Sequence, residues 1–309
     1  MGYGRVDAIA GRATRPERVT ARIVEAMRSD RAPYEVAFVL GGGGVLGAHE
    51  VGMLHALAES VIEPDVILGT SIGAINGAMF AADPTVEGVR RLGRLWRDPA
   101  VAGVSAGSLL RRVTTLARTG THLQSLEEVR QRLADAFPVE RVEELAVPFQ
   151  CVAASIERAA EHWFAEGLLT DVVLATCAVP GILPPVAIGD EHFIDGGIVN
   201  SIPVARAVAL GAKTIYVLQV GRLERPLQPP RWPWEVGLVA FEVARRHRFA
   251  SDLVSLPDGV RLHVLPTGGS AAPAYNDLSG QLRVMRMTRG VQQQIDSSYE
   301  ASLRYLQGL

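Results

Sequence analysis

The sequence has few cysteines and no long hydrophobic run. Its 309 residues include two cysteines, Cys151 and Cys177, too few to crosslink a chain of this size. No uncharged apolar stretch reaches the ~18 residues that a membrane-spanning helix needs, and the first residues lack the continuous apolar segment of a secretion signal. These absences predict a protein of the reducing cytoplasm, whose contact with a membrane is at most peripheral, at the inner face.

The chain also lacks an excess of one charge. It carries 31 basic and 33 acidic residues, for a net charge of -2, and Lys213 is the single lysine. A nucleic-acid-binding protein normally presents a basic surface, so the balance argues against that class of partner. The histidines, cysteines and carboxylates show no metal-ligand spacing, and we expect no metal and no cofactor. Nothing in the composition predicts an oligomeric state.

Strand-like and helix-like segments alternate along most of the sequence. Apolar strands are predicted at 35–40, 66–69, 149–154 and 214–220, with a hairpin at 186–194. Helices are predicted at 45–59, 71–82, 236–250 and 280–306. This alternation predicts an α/β fold with three layers, α/β/α, around a mostly parallel central sheet.

The chain divides into four segments. Residues 1–33 are predicted to be a helical extension, and residues 34–220 the main α/β domain. Residues 221–235 contain four prolines and are predicted to be a loop. Residues 236–309 are predicted to be a helical segment with one strand, packed on the main domain.

Four consecutive glycines, residues 41–44, separate the first strand from the first helix. A backbone without side chains can direct several N–H groups at one anionic atom, and the helix N-terminus adds a favourable dipole. A tight turn that needs one positive φ angle is the simpler alternative. We interpret the run as an oxyanion hole formed by Gly42, Gly43 and Gly44.

The glycines also fit a dinucleotide-binding fingerprint, with Gly42, Gly44 and Gly47 at the required spacing. That motif places an acidic residue at the end of the second strand. Here Glu63 and Asp65 have the right separation but precede the strand, so the fingerprint is the weaker interpretation.

A Gly-x-Ser-x-Gly pentapeptide at residues 69–73 follows the second strand and opens a helix of small residues. A serine on such a strand-to-helix turn projects its hydroxyl outward, as in a nucleophile elbow. A serine that only caps the helix is the alternative. The elbow is favoured because a short apolar strand precedes Ser71, and we predict that Ser71 is the nucleophile.

A serine nucleophile needs a base, and one aspartate has a distinctive position. Asp195 ends a strand before two glycines, 124 positions after Ser71. None of the seven histidines has a comparable setting. A Ser–Asp–His triad with His247 or His263 is the alternative, since that order is usual in α/β-hydrolases.

The three motifs, in this order, resemble those of the patatin-like phospholipase family. The stretch 175–186 also resembles the segment that the family places between serine and aspartate, and the similarity covers roughly residues 35–220. The resemblance implies a patatin-like fold, a glycine-loop oxyanion hole, and a Ser71–Asp195 dyad without histidine. It further implies a lipid or acyl-ester substrate and phospholipase A-type ester hydrolysis.

Leu46 and Cys177 are two further positions that bear on the predicted site. The basic residue of the family's glycine loop is replaced by Leu46, which supports the alternative of a lipid-binding or acyl-binding protein with little catalytic activity. Cys177 lacks an elbow and is interpreted as a core residue.

The proline-rich loop carries Trp232 and Trp234, which suit a membrane-facing flap because indole is apolar with one polar N–H group. A proline-stiffened linker whose tryptophans pack on the body of the protein is the alternative interpretation. If the flap is real, the neutral charge balance predicts weak, reversible membrane contact.

Overall fold

The computed structural model describes residues 34–98, 125–220, 226–231, 233–268 and 288–309. The helix predicted within residues 1–33 lies outside this part of the chain, as do Trp232 and residues 221–225 of the predicted loop. The described strands are β1 (Val36–Leu40), β2 (Val66–Gly69), β3 (Phe149–Ser155), β4 (Ala160–Phe164), β5 (Val186–Ile188), β6 (Glu191–Asp195), β7 (Thr214–Leu218) and β8 (Arg261–Val264).

The described helices lie between and after the strands, singly or in groups of two or three. They are α1 (Ala48–Glu59), α2 (Ile72–Ala82), α3 (Val86–Arg97), α4 (Leu126–Ala136), α5 (Leu169–Thr176), α6 (Gly197–Asn200), α7 (Val204–Ala209), α8 (Pro233–Val254) and α9 (Thr288–Gln307). Two short 3₁₀ turns, Gly44–Gly47 and Val142–Glu144, precede α1 and β3.

The strands form one sheet in the order β5-β6-β3-β2-β1-β7-β8, with β4 also paired to β3. The pairs β3–β2, β2–β1, β1–β7 and β7–β8 are parallel. The pairs β3–β6, β5–β6 and β3–β4 are antiparallel. The sheet is therefore mostly parallel, as predicted. Because β8 pairs with β7, the segment after residue 235 extends this sheet.

Helices cover both faces of the sheet. Successive side chains of a strand point to opposite faces, and in β1 Phe38 and Leu40 pack in one cluster with residues of α1, α2 and α9. Ala37 and Val39 pack in a second cluster with residues of α7 and α8. The strands are apolar on both sides because each side is buried, and this confirms the three-layer α/β architecture.

Two of the differences from the sequence prediction concern β4 and the start of α8. The antiparallel strand β4 was not predicted, because its residues, 160–164, mix charged and aromatic side chains. Helix α8 begins at Pro233, inside the predicted 221–235 loop, where proline suits the first turn because its missing N–H group is not needed there. Residues 226–230 have no regular structure.

The sheet brings the three predicted motifs to one edge. Leu40 at the end of β1 is paired with Gly69 at the end of β2, so the glycine loop and the serine turn leave the sheet side by side. Gly69 is paired with Cys151 of β3, and Asp195 at the end of β6 is paired with Ala153, two residues further along β3. All three segments therefore meet at the carboxyl ends of the parallel strands.

Candidate active site

Ser71 lies in a sharp turn between β2 and α2. Its φ of 54° and ψ of -124° put it in a left-handed conformation that a residue with a side chain adopts only at a cost. The turn requires glycine at position 73, because a Cβ there would collide with the Leu40 carbonyl. Ser71 occupies the N-cap position of α2, yet its hydroxyl makes no capping hydrogen bond. The hydroxyl therefore serves another partner.

That partner is the carboxylate of Asp195. Ser71 Oγ donates to Asp195 Oδ2 at 2.7 Å, between residues 124 positions apart in sequence. The other oxygen, Oδ1, accepts from the Gly197 N–H group at 2.7 Å. Glycine is needed at 197 because a Cβ there would lie 2.9 Å from Oδ1 and 2.6 Å from the Phe241 ring. Both carboxylate oxygens are thus fixed, one of them on the serine hydroxyl.

The environment of Asp195 makes it a stronger base than a free carboxylate. Only 1% of the residue is exposed. Burial raises the pKa of Asp195 from 3.8 to about 6, although the hydrogen bonds from Ser71 and Gly197 oppose the change. At neutral pH the carboxylate is ionised and has a higher proton affinity than an exposed aspartate, as a general base requires.

The glycine loop presents two free amides beside this pair. Gly41 N donates to Leu218 O and Gly42 N donates to Ser201 O, both at 2.9 Å. Within the described part of the chain, the N–H groups of Gly43 and Gly44 have no hydrogen-bond acceptor. Two adjacent unpaired amides of this kind are available to an anionic atom.

The three predicted oxyanion residues therefore divide into two kinds. The Gly42 N–H group donates to Ser201 O, whereas the N–H groups of Gly43 and Gly44 have no acceptor in the described residues, and the assignment of Gly42 to the oxyanion hole stays a prediction. A Cβ on Gly42 would lie 3.1 Å from Ser201 Oγ, a tight contact, and 3.5 Å from Ser71 Cβ. Gly43 has no room for a side chain beside Val220, and Gly44 has a φ of 55°.

Leu46, where the family has a basic residue, is only 5% exposed. It belongs to the 3₁₀ turn after the glycines, and its N–H group donates to Gly43 O at 3.2 Å. An apolar side chain fits this buried position, and the turn is closed by the backbone without a cation.

Two buried threonines, neither of them predicted from the sequence, link the serine turn to the aspartate segment. Thr70 Oγ1 donates to Asn200 O at 2.9 Å, and Ser71 N donates to Thr176 Oγ1 at 2.9 Å. Thr70 is inside the Gly-x-Ser-x-Gly motif and Thr176 inside the stretch 175–186, but their partners depend on the packing of distant segments.

A buried carboxyl group lies behind the glycine loop. Glu50 of α1 is fully buried, and Asn76 Nδ2 of α2 donates to its Oε2 at 2.7 Å. Asn76 also donates to Gly47 O at 3.0 Å and accepts from Trp96 Nε1 at 2.9 Å. Burial raises the pKa of Glu50 well above its usual range, and the hydrogen bond from Asn76 opposes this. The cluster joins the end of the glycine loop to the helix that follows Ser71.

Cys177, interpreted from the sequence as a core residue, lies beside Ser71 and Asp195. It packs partly buried against the core, with a free thiol. Burial, and then the charge of Asp195, raise the pKa of the thiol well above its usual range, and a hydrogen bond with Ser71 opposes this. The thiol is therefore protonated and is a poor nucleophile.

The histidines of the triad alternative lie elsewhere. His263 stacks on Tyr216, and its Nδ1 lies 3.1 Å from Tyr305 Oη. His247 is exposed on α8, where its carbonyl accepts from Ser251. In the described residues, the hydrogen bonds to the Asp195 carboxylate come from Ser71 and Gly197 and from no histidine.

The dinucleotide alternative also lacks its acidic partner. Asp65 Oδ2 accepts from the N–H groups of Glu35 and Val36, at 2.9 and 2.8 Å. These contacts lie at the amino end of β1, the opposite edge of the sheet from the glycine loop.

Within the described ranges, no three His, Cys, Asp or Glu side chains are grouped so that they could hold a metal ion. Nor does any helix there combine the length and hydropathy needed to cross a bilayer.

The segment that builds this geometry matches a known family. The family model described as Patatin-like phospholipase matches residues 38–208, more than half of the chain. The chain belongs to the patatin-like phospholipase family. The glycine loop, Ser71 and Asp195 all lie within the matched segment, and the resemblance drawn from the motifs is confirmed.

Similar patatin-like proteins include much longer chains. Patatin-like phospholipase domain-containing protein 7 of Rattus norvegicus is 32% identical over 188 residues, which are 60% of this chain and 14% of the rat protein. Lysophospholipase nte1 of Aspergillus terreus is 31% identical over 189 residues, 61% of this chain and 12% of the fungal protein. The chain therefore spans only a small part of these curated relatives.

Among solved structures, VipD from Legionella pneumophila aligns with 90% of this chain and 67% of its own, at 14% identity and a TM-score of 0.45.

Proposed function

We propose that this patatin-like protein is a serine acyl hydrolase that cleaves carboxylic esters of lipids. The observation that carries the proposal is the 2.7 Å hydrogen bond from Ser71 Oγ to a buried aspartate whose pKa is raised to about 6. The strained backbone of Ser71 adds support, because such strain concentrates at functional sites.

In the first half of the reaction, Ser71 Oγ attacks the ester carbonyl carbon and its proton passes to Asp195 Oδ2. The negative charge that develops on the carbonyl oxygen is bound by the N–H groups of Gly43 and Gly44. Removing one such donor typically costs ~3–4 kcal/mol of transition-state stabilisation. The proton on Asp195 then passes to the leaving alcohol, and the acyl group stays on Ser71.

In the second half, Asp195 accepts a proton from a water molecule, which attacks the acyl-enzyme carbonyl. The same two amides hold the second oxyanion. When the tetrahedral intermediate collapses, the proton returns to Ser71 Oγ and the fatty acid leaves. One carboxylate serves as base and acid in both halves, so no histidine is required.

The substrate class follows from the family and from the names of the relatives. We propose phospholipase A-type or lysophospholipase hydrolysis, because one relative is named a lysophospholipase and others are named for a phospholipase domain. The buried Leu46 supplies no cation for a phosphate headgroup, which favours recognition of the acyl chain over recognition of the headgroup.

A hydrolysis screen tests this function. Purified wild type and Ser71→Ala are compared on p-nitrophenyl esters, lysophospholipids, phospholipids and monoacylglycerols, and each protein is also treated with a fluorophosphonate probe that labels activated serines. We expect hydrolysis and labelling in the wild type and neither in Ser71→Ala. A wild type that binds acyl lipid without hydrolysis or labelling would establish the non-enzymatic alternative.

A further inference from the structure

We infer that Thr176 is a positioning residue that holds the backbone of Ser71 in its strained conformation. The inference rests on the proposed function. Thr176 ends α5 and is fully buried. Its hydroxyl accepts from Ser71 N at 2.9 Å and donates to Val152 O at 2.5 Å.

The two contacts of the hydroxyl depend on each other. A threonine hydroxyl has one proton and two lone pairs. With the proton committed to the carbonyl of β3, a lone pair is left to face the Ser71 N–H group. A side chain without a hydroxyl would remove the acceptor of the part-buried Ser71 N–H group and a donor to the Val152 carbonyl, a costly change.

The backbone of the same segment holds the aspartate. Gly196 N donates to Thr176 O at 3.3 Å, and Asp195 N donates to Ala178 O at 3.0 Å. Residues 176–178 thus contact the main chain on both sides of the Ser71–Asp195 hydrogen bond. Thr176 contacts both segments. Its side-chain hydroxyl accepts from the serine turn, and its backbone carbonyl accepts from the aspartate turn.

This arrangement predicts an effect on turnover rather than on substrate binding. Ser71 keeps a φ of 54° only while its surroundings hold it. If its N–H group loses its acceptor, the turn can relax and move Oγ away from Asp195 and from the substrate carbonyl. Small displacements of reacting groups of this kind can cost roughly 10- to 100-fold in rate.

The test compares Thr176→Val, which keeps the shape without the hydroxyl, with Thr176→Ser, which keeps the hydroxyl. For Thr176→Val we expect kcat to fall roughly 10- to 100-fold while KM stays within about twofold, and fluorophosphonate labelling of Ser71 to slow in parallel. Thr176→Ser should restore most of both rates. Ser302→Ala is the matched control, because it removes another buried hydroxyl, on α9, that donates to Pro266 O.

The outcomes separate this inference from the proposed function. Wild-type kcat and labelling in a Thr176→Val protein that melts at a lower temperature would overturn the positioning role and leave only a structural one. Equal losses in Thr176→Val and Thr176→Ser would overturn it as well. If Thr176→Val does not fold, Thr176→Cys replaces it under the same criteria. A wild type that neither hydrolyses esters nor labels at Ser71 would instead reject the proposed function.

Discussion

Ser71 and Asp195 meet through a 2.7 Å hydrogen bond in which the carboxylate is almost fully withdrawn from solvent. The serine leaves one parallel strand and the aspartate ends an antiparallel strand two positions away in the sheet. The bond therefore exists only when both strands pair with β3 in the observed register.

The first prediction concerns the cost of that burial. Asp195→Asn should abolish ester hydrolysis, as Ser71→Ala should. The double variant Ser71→Ala with Asp195→Asn should be no less active than either single variant.

The Asp195→Asn variant should nevertheless have a higher free energy of unfolding at neutral pH than the wild type. A pKa that rises from 3.8 to about 6 on folding corresponds to at most about 3 kcal/mol. Chemical denaturation at pH 7.5 measures this, and an active Asp195→Asn protein would reject the dyad.

The second prediction concerns pH and activity. Asp195 acts as a base in its ionised form, so kcat/KM should fall as the pH drops through about 6, with one proton responsible. An ordinary aspartate would keep the enzyme active to much lower pH. A soluble p-nitrophenyl ester over pH 4.5–8 measures the profile, with circular dichroism as the control for unfolding. An acid limb well below pH 5 would contradict the raised pKa.

The third prediction isolates the oxyanion loop. Gly44 has a φ of 55°, and a Cβ there would meet nothing within 4 Å, so Gly44→Ala adds backbone strain without a clash. We expect kcat to fall more than KM rises, because the amide binds mainly the transition state. Gly189→Ala is the matched control, since Gly189 has a φ of 64° and equally open space in the β5–β6 hairpin. Equal kinetics in the two variants would remove Gly44 from the mechanism.

The fourth prediction concerns Glu50. The folded chain keeps a proton on this buried carboxyl at pH values where the unfolded chain has released it. The contribution of Glu50 to the free energy of unfolding is therefore greatest below the unfolded pKa of about 4.3. It falls as the pH rises from there towards the folded pKa. Glu50→Gln should therefore be more stable than the wild type at pH 8, and its stability should decline less between pH 5 and 8. Denaturation curves at both pH values measure this, with the exposed Glu63→Gln as control.

The fifth prediction concerns lipid surfaces. Val236 and Val243, 54% and 53% exposed, lie seven residues apart on one face of α8. Phe241 of the same helix packs beside Gly197. If this face meets lipid, Val236→Asp with Val243→Asp should lower hydrolysis of liposomal substrate and leave soluble esters unaffected. Val61→Asp, at the opposite edge of the sheet, is the control. Equal liposome hydrolysis in all variants would contradict a membrane-facing role for α8.

The sequence alone determined the segments that carry the candidate chemistry. A glycine run after one strand, a serine between glycines after the next, and an aspartate before two glycines are local patterns, and each turn is dictated by residues within a few positions. Steric demands of this kind are encoded in short stretches of chain, because glycine adopts the positive φ at residue 44 with little strain and leaves room for the Ala74 backbone beside residue 69.

Tertiary structure decided what those segments do to one another. It committed the Gly42 amide to Ser201, set Thr176 beneath Ser71, and raised the pKa of Asp195 by burial. It also placed His247 and His263 away from the carboxylate. These outcomes depend on strand order and on the packing of residues more than 100 positions apart. No local pattern encodes them, because the partner of a buried polar group is fixed only when the whole sheet has formed.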